Sequence, residues 1–137
     1  MRPSKLFNPV GWFEIYVDDL ERAGRFYAAV LERQLNPAST DGTFEALEFQ
    51  GQMPSAGAMG ALMKHPMRKP SQNGTIVYFS CDDCAETSKL AMQHGGTVFK
   101  PKWSIGDHGF IAIIGDTEGN AIGLHSFKWM FDALSVI

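Results

Sequence analysis

Apolar and polar positions along this chain follow two periods, one of strands and one of helices, and the same succession of the two occurs twice. Residues 11–17 and 75–81 are short runs rich in aromatic and β-branched side chains, the composition of strands. Each leads into a predicted helix. In the first, Asp18 and Glu21 have capping-box spacing, and Leu20, Ala23, Tyr27 and Val30 or Leu31 recur every three or four residues on one face. In the second, Asp83 and Glu86 supply the cap one place later, and Gly95-Gly96 supplies a left-handed stop after His94. Three more strands are predicted in each half, at about 34–36, 43–49 and 58–63, then 97–100, 108–114 and 120–125. Asp116-Thr117-Glu118-Gly119 has the composition of a hairpin turn between the last two.

The two halves match in detail. Tyr16-Val17-Asp18-Asp19 aligns with Ser80-Cys81-Asp82-Asp83 at an offset of 64, which also carries Pro37 onto Pro101 and Gly51 onto Gly115. The offset then slips to 63, placing Ala58-Met59-Gly60-Ala61-Leu62 on Ala121-Ile122-Gly123-Leu124-His125. A repeat of this length dictates architecture: an α+β domain of two βαβββ modules, at about 10–64 and 74–128, joined by a polar, proline-punctuated linker at 65–73. The remaining segment, 129–137, belongs to an apolar tail that would form a short docked helix or reach onto a partner subunit.

Composition narrows the classes of function. A chain of 137 residues, 45% hydrophobic, is one ordinary domain that buries roughly two-thirds of its unfolded surface. Its 12 basic and 15 acidic side chains leave a net charge of -3, so no basic field is available to hold nucleic acid. The first thirteen residues lack the apolar stretch of a signal peptide, and no run is long enough to span a bilayer, so a cytoplasmic location is expected. Two cysteines, Cys81 and Cys84, are too few for a disulfide framework. Their C-x-x-C spacing is that of redox pairs, but the repeat aligns them with Val17 and Leu20, which makes them small buried hydrophobes.

Trp12-Phe13-Glu14-Ile15-Tyr16-Val17-Asp18-Asp19-Leu20 leading into Arg25-Phe26-Tyr27, together with the segment from Asp116 to His125, resembles the vicinal oxygen chelate superfamily of glyoxalases, bleomycin-resistance proteins and extradiol dioxygenases. The resemblance covers about residues 8–128. It implies two modules related by a pseudo-twofold, an eight-stranded incomplete barrel around a cavity, a homodimer, and metal ligands on the first and last strands of each module. Those ligand positions fall on Trp12, Gly60, Ile76 and Gly123. None of the four side chains can coordinate a divalent cation, so no metal and no other cofactor is expected.

Because side chains alternate across a strand, the residues two beyond those positions are expected to share the cavity: Glu14, Leu62, Tyr78 and His125. Glu14, desolvated among Trp12, Tyr16 and Tyr78, would have a raised pKa and could serve with His125 as an acid/base pair. A plainer role is open to both, with Glu14 bonded to a hydroxyl or amide at the cavity floor and His125 a satisfied histidine. A relocated metal site of Glu14, His125 and Glu48 is a further alternative. Trp103 and His108 lie on a glycine-flanked loop that could be a lid; with Trp12, Tyr16, Leu62 and Tyr78 they complete the expected ligand-binding set. The seven methionines, Met53, Met59 and Met63 among them, suit adaptable packing. Two functions follow: a metal-independent binder of a small, partly apolar molecule, or a lyase, isomerase or dioxygenase working through Glu14 and His125.

Overall fold

A computed structural model describes residues 8–52 and 57–127. Met53 and the tail 128–137 lie outside the described residues. The elements run β1 (Trp12–Tyr16), α1 (Leu20–Leu31), β2 (Leu35–Pro37), β3 (Glu45–Phe49), β4 (Met59–Lys64), β5 (Tyr78–Ser80), α2 (Cys84–Gln93), β6 (Thr97–Ser104), a 3-10 turn at Gly106–His108, β7 (Phe110–Gly115) and β8 (Ala121–Ser126). Two four-stranded sheets result, ordered β1-β4-β3-β2 and β5-β8-β7-β6, and they do not close into a barrel. In each sheet the first strand runs parallel to the last, and the other neighbours are antiparallel. This is the repeated βαβββ order read from the sequence. Among the described residues no helix is long and apolar enough to cross a membrane.

Local chemistry explains the helix ends. Asp19, in extended backbone, accepts a hydrogen bond from the Arg22 N–H, and Asp83 accepts one from the Ala85 N–H. Asp19, not Asp18, is therefore the cap, which restores the offset of 64 between the two caps. The second helix stops at His94 with Gly95 at φ +97°, as predicted; the first ends on Glu32 at φ 51°, a left-handed conformation without glycine.

One core serves both modules. Ile15, Val17, Tyr27, Val30, Phe49 and Leu62 from the first pack with Cys84, Ala91, Ala112, Ile114, Ile122 and Leu124 from the second. Phe79 of β5 reaches into the aromatic cluster of the first module, with its ring 5.7 Å from Phe13, 5.6 Å from Phe49 and 6.0 Å from Tyr27. The opposite face of the first sheet carries a smaller apolar cluster of Ala46, Ala61 and Met63, flanked by Tyr16, Ala38 and Phe44.

The turn between β7 and β8 fastens the two modules together. Both oxygens of the Glu118 carboxylate, whose side chain is fully buried, accept from Arg22, from Nε at 2.7 Å and Nη2 at 2.9 Å. One of these oxygens also accepts the backbone N–H groups of Asp18 and Asp19 at 3.1 and 2.9 Å. Asp116 accepts the Tyr27 hydroxyl at 2.7 Å and the backbone N–H groups of Glu118 and Asn120. Asn120 donates to the Tyr16 carbonyl and accepts from the Ser71 N–H, which ties the linker to the same turn. Burial opposes ionisation of Glu118, but the bonds from Arg22, the Asp19 backbone and Thr117 outweigh it and hold the carboxyl down at about 2.

Candidate functional site

Strand register decides which side chains share a face, since a slip of one residue moves a whole strand to the other side. On β1 and just after it, Ile15 and Val17 are buried in the core, whereas Trp12, Glu14 and Tyr16 point away from it. Opposite them on β4 stand Met59, Ala61 and Met63. Ala61 in turn faces Glu48 of β3, so Glu14, Ala61 and Glu48 form one row across three strands. The two glutamate backbones are thus about 9–10 Å apart, with only a methyl group between them.

The same register corrects two expectations. Leu62 pairs with Ile15 and is fully buried in the shared core, so it does not line the open face beside Glu14. Gly60 pairs with Phe13, whose ring occupies the space a Cβ would fill there, so it too faces the core. In the second module Tyr78 pairs with Gly123, and the Tyr78 ring covers Gly123 on the open side. Gly60 and Gly123 are therefore not structural equivalents. The strands β4 and β8 superpose at an offset of 62, one step beyond the slip the sequence suggested, and Ala61 is the mate of Gly123.

Glu14 is exposed on its strand, not enclosed in a cavity. Its carboxylate accepts the Tyr16 hydroxyl at 2.6 Å and the Trp12 indole N–H at 3.2 Å. The hydroxyl partner expected in the plainer reading is present. Partial burial and the neighbouring carboxylate push the Tyr16 phenol above its ordinary range, so it remains a donor at neutral pH. The three side chains form a fixed edge of two rings and one acceptor. Neither Glu14 nor Glu48 takes part in an ion pair among the described residues.

His125 belongs to the other sheet. It forms a row with Ile111, Trp103 and Ser80, and its Nε2 lies 2.6 Å from the His108 carbonyl oxygen. A carbonyl can only accept, so Nε2 carries the proton and donates. Phe127 packs edge-on at 4.5 Å. Trp103 is part of strand β6, its ring under Lys100 Nζ at 3.9 Å. The expected lid thus shrinks to residues 105–109, which are pinned by Ile105 N–H to Gly109 O and by the His125–His108 bond. No hydrogen bond or ion pair joins Glu14 to His125.

Neither the positions at which the resemblance places metal ligands nor their neighbours fit a metal. Trp12 offers an indole, Gly60 a hydrogen buried under Phe13, Ile76 a half-buried alkyl group, and Gly123 a hydrogen under Tyr78. Among the described residues no group of three or more His, Cys, Asp or Glu side chains is placed to hold an ion. Cys84 is fully buried against the Phe110 carbonyl and the Ser126 hydroxyl, and burial pushes the Cys81 thiol up to about 12. Both are packing residues, and Cys81 is unsuited to thiolate chemistry.

Comparison with known proteins agrees with this architecture. The sequence profile of the Glyoxalase/Bleomycin resistance protein/Dioxygenase superfamily matches residues 10–124. No curated protein sequence matches the chain. Among solved structures, a member of the same superfamily from Sphaerobacter thermophilus superposes with a TM-score of 0.67 at 24% identity, over 88% of this chain and 98% of that one. A glyoxalase-related enzyme from Fulvimarina pelagi gives 0.64 at 14% identity, over 88% of both chains. Glyoxalase I from Zea mays gives 0.65 at 17% identity over 93% of this chain, which spans 48% of the maize enzyme. At these identities the likeness is one of fold, and the profile match, over most of the sequence, carries the assignment: the chain belongs to the glyoxalase/bleomycin resistance protein/dioxygenase superfamily.

Proposed function

We propose that this protein binds a small, partly apolar molecule bearing an amine or other N–H donor, on the open sheet faces and without a metal at the superfamily's ligand positions. The observation that carries the reading is the Trp12-Glu14-Tyr16 edge: two ring donors fix one exposed carboxylate, which retains acceptor capacity for a ligand. Glu48 across Ala61 adds a second acceptor, and the half-buried Met59 beside them supplies adaptable apolar contact. Tyr78, Trp103 and His108 would complete the site from the second module. The reading includes the homodimer implied by the resemblance, because Trp12, Tyr78 and Phe99 remain exposed on a single chain and a second copy would enclose a ligand among them. An acid/base enzyme using Glu14 and His125 is less well supported, since the two sit on different sheets and the His125 Nε2 proton is already committed to a carbonyl.

The test is a thermal-shift screen of aromatic amines against the wild type, Glu14→Gln and Trp12→Ala, with metal analysis of protein purified without added metal. A binder present at about 100 times its dissociation constant adds about 2.7 kcal/mol to stability. The expected result is a compound that stabilises the wild type and loses at least tenfold in affinity in both variants. Stoichiometric metal that disappears in Glu14→Gln and in His125→Ala would overturn the reading.

A further inference from the structure

The helix side of the molecule, behind the open faces, carries a groove of about 560 Å³. Arg22, Arg25 and Phe26 of α1 line it together with His94 and Gly95 at the end of α2 and Thr117 of the β7–β8 turn. The groove therefore lies on the seam between the modules. Its volume is within the range of small-molecule sites. The titratable side chains lining this groove are two arginines and a histidine; Arg22 is paired with Glu118 through Nε and stands 4.0 Å from Asp19 through Nη1, and Arg25 is paired with Glu21.

The two arginines are three residues apart on α1, so their side chains are neighbours on one helix face. Arg22 is held through Nε and Nη2 by the buried Glu118, which fixes its guanidinium before any ligand arrives. Arg25 pairs with Glu21 at 2.7 Å, but the two side chains are 67% and 85% exposed. Such a pair is worth less than about 1 kcal/mol and gives way to a stronger oxyanion. His94 approaches from the other module. A planar carboxylate meets donors in one plane, whereas a tetrahedral phosphate dianion can accept from three groups in three directions.

We propose that this groove binds a phosphorylated small molecule, with the phosphate between Arg22, Arg25 and His94. The site is independent of the ligand suggested for the open faces, which lie across the sheet from it.

Calorimetric titration with inorganic pyrophosphate tests it, with citrate as the comparison and the wild type, Arg25→Ala, His94→Ala and Glu14→Gln as proteins. Arg25 and His94 are exposed, so both alanine variants should melt as the wild type does. The expected result is one pyrophosphate per chain, weakened about tenfold in each groove variant, unchanged in Glu14→Gln, and at least tenfold tighter than citrate. The proposal is overturned by absence of pyrophosphate binding at millimolar concentration, by affinity undiminished in Arg25→Ala and His94→Ala, or by citrate binding as tightly. Loss of open-face binding in Glu14→Gln with pyrophosphate affinity intact would separate the two sites.

Discussion

The seam between the modules and the open face of the first sheet both concentrate polar side chains, and they treat them in opposite ways. At the seam every acceptor is satisfied from within: Glu118 takes Arg22, Thr117 and two backbone N–H groups, and Asp116 takes Tyr27 and two more. On the open face Glu14 takes two donors from its own strand and remains exposed. Buried acceptors left unmet are costly, so evolution of a fold saturates them; exposed acceptors cost little and can be kept for a partner. The comparison separates side chains that hold the molecule together from those available to act.

The largest expected effect tests the strand register on which the comparison rests. Leu62→Ala should cost about 3 kcal/mol in chemical denaturation, because Leu62 is fully buried in the shared core and its removal leaves a cavity. A loss under about 1 kcal/mol, or a change in ligand affinity without one in stability, would return Leu62 to the open face.

Glu118→Ala should cost nearly as much, about 2–3 kcal/mol, since Asp18 and Asp19 lose an acceptor and Arg22 its partner. Acid denaturation gives the same interaction a sign. Glu118 titrates near 2 in the folded protein, below the ordinary 4.5, so its stabilisation is complete above the ordinary value and is lost as pH falls from about 4.5 toward 2. Glu118→Gln should flatten that limb of the stability curve; an unchanged acid limb would move the pH dependence elsewhere. Tyr27→Phe is the milder cut. It removes one of several bonds to Asp116 and should cost about 1 kcal/mol.

These residues also show how far the sequence could be read. The repeat was legible because Asp19 and Asp83, the helix faces and the βαβββ order recur at one spacing, and each has a local cause in capping or periodicity. Glu14, Trp12 and Tyr16 could be placed together because alternation along one strand is local as well. What failed was pairing between strands. The loop between β3 and β4 hides its length in pattern terms, and an error of one residue there turned Leu62 and Gly60 onto the wrong face. The Asp116-to-Asn120 turn was recognised as a turn, but nothing in its composition shows that its acceptors reach α1, about a hundred residues away in sequence. Trp103 reads as a loop residue in the sequence because β6 has shifts in register that interrupt its alternation.

The smallest expected effect is the sharpest test of the contrast between seam and face. Glu14→Gln keeps the size of the side chain, removes the charge, and replaces one of the two acceptor oxygens, which Trp12 and Tyr16 bond separately, with a donor amide. At an exposed position such a change falls within about 0.5 kcal/mol in stability. If the open face exists for a ligand with a donor or a positive charge, the same substitution should weaken that ligand at least tenfold while the unfolding midpoint hardly moves. If instead Glu14 serves the fold, stability and binding should fall together, as at Glu118. Measuring both quantities on one variant distinguishes the two, because a structural carboxylate cannot lose its ligand and leave the fold intact.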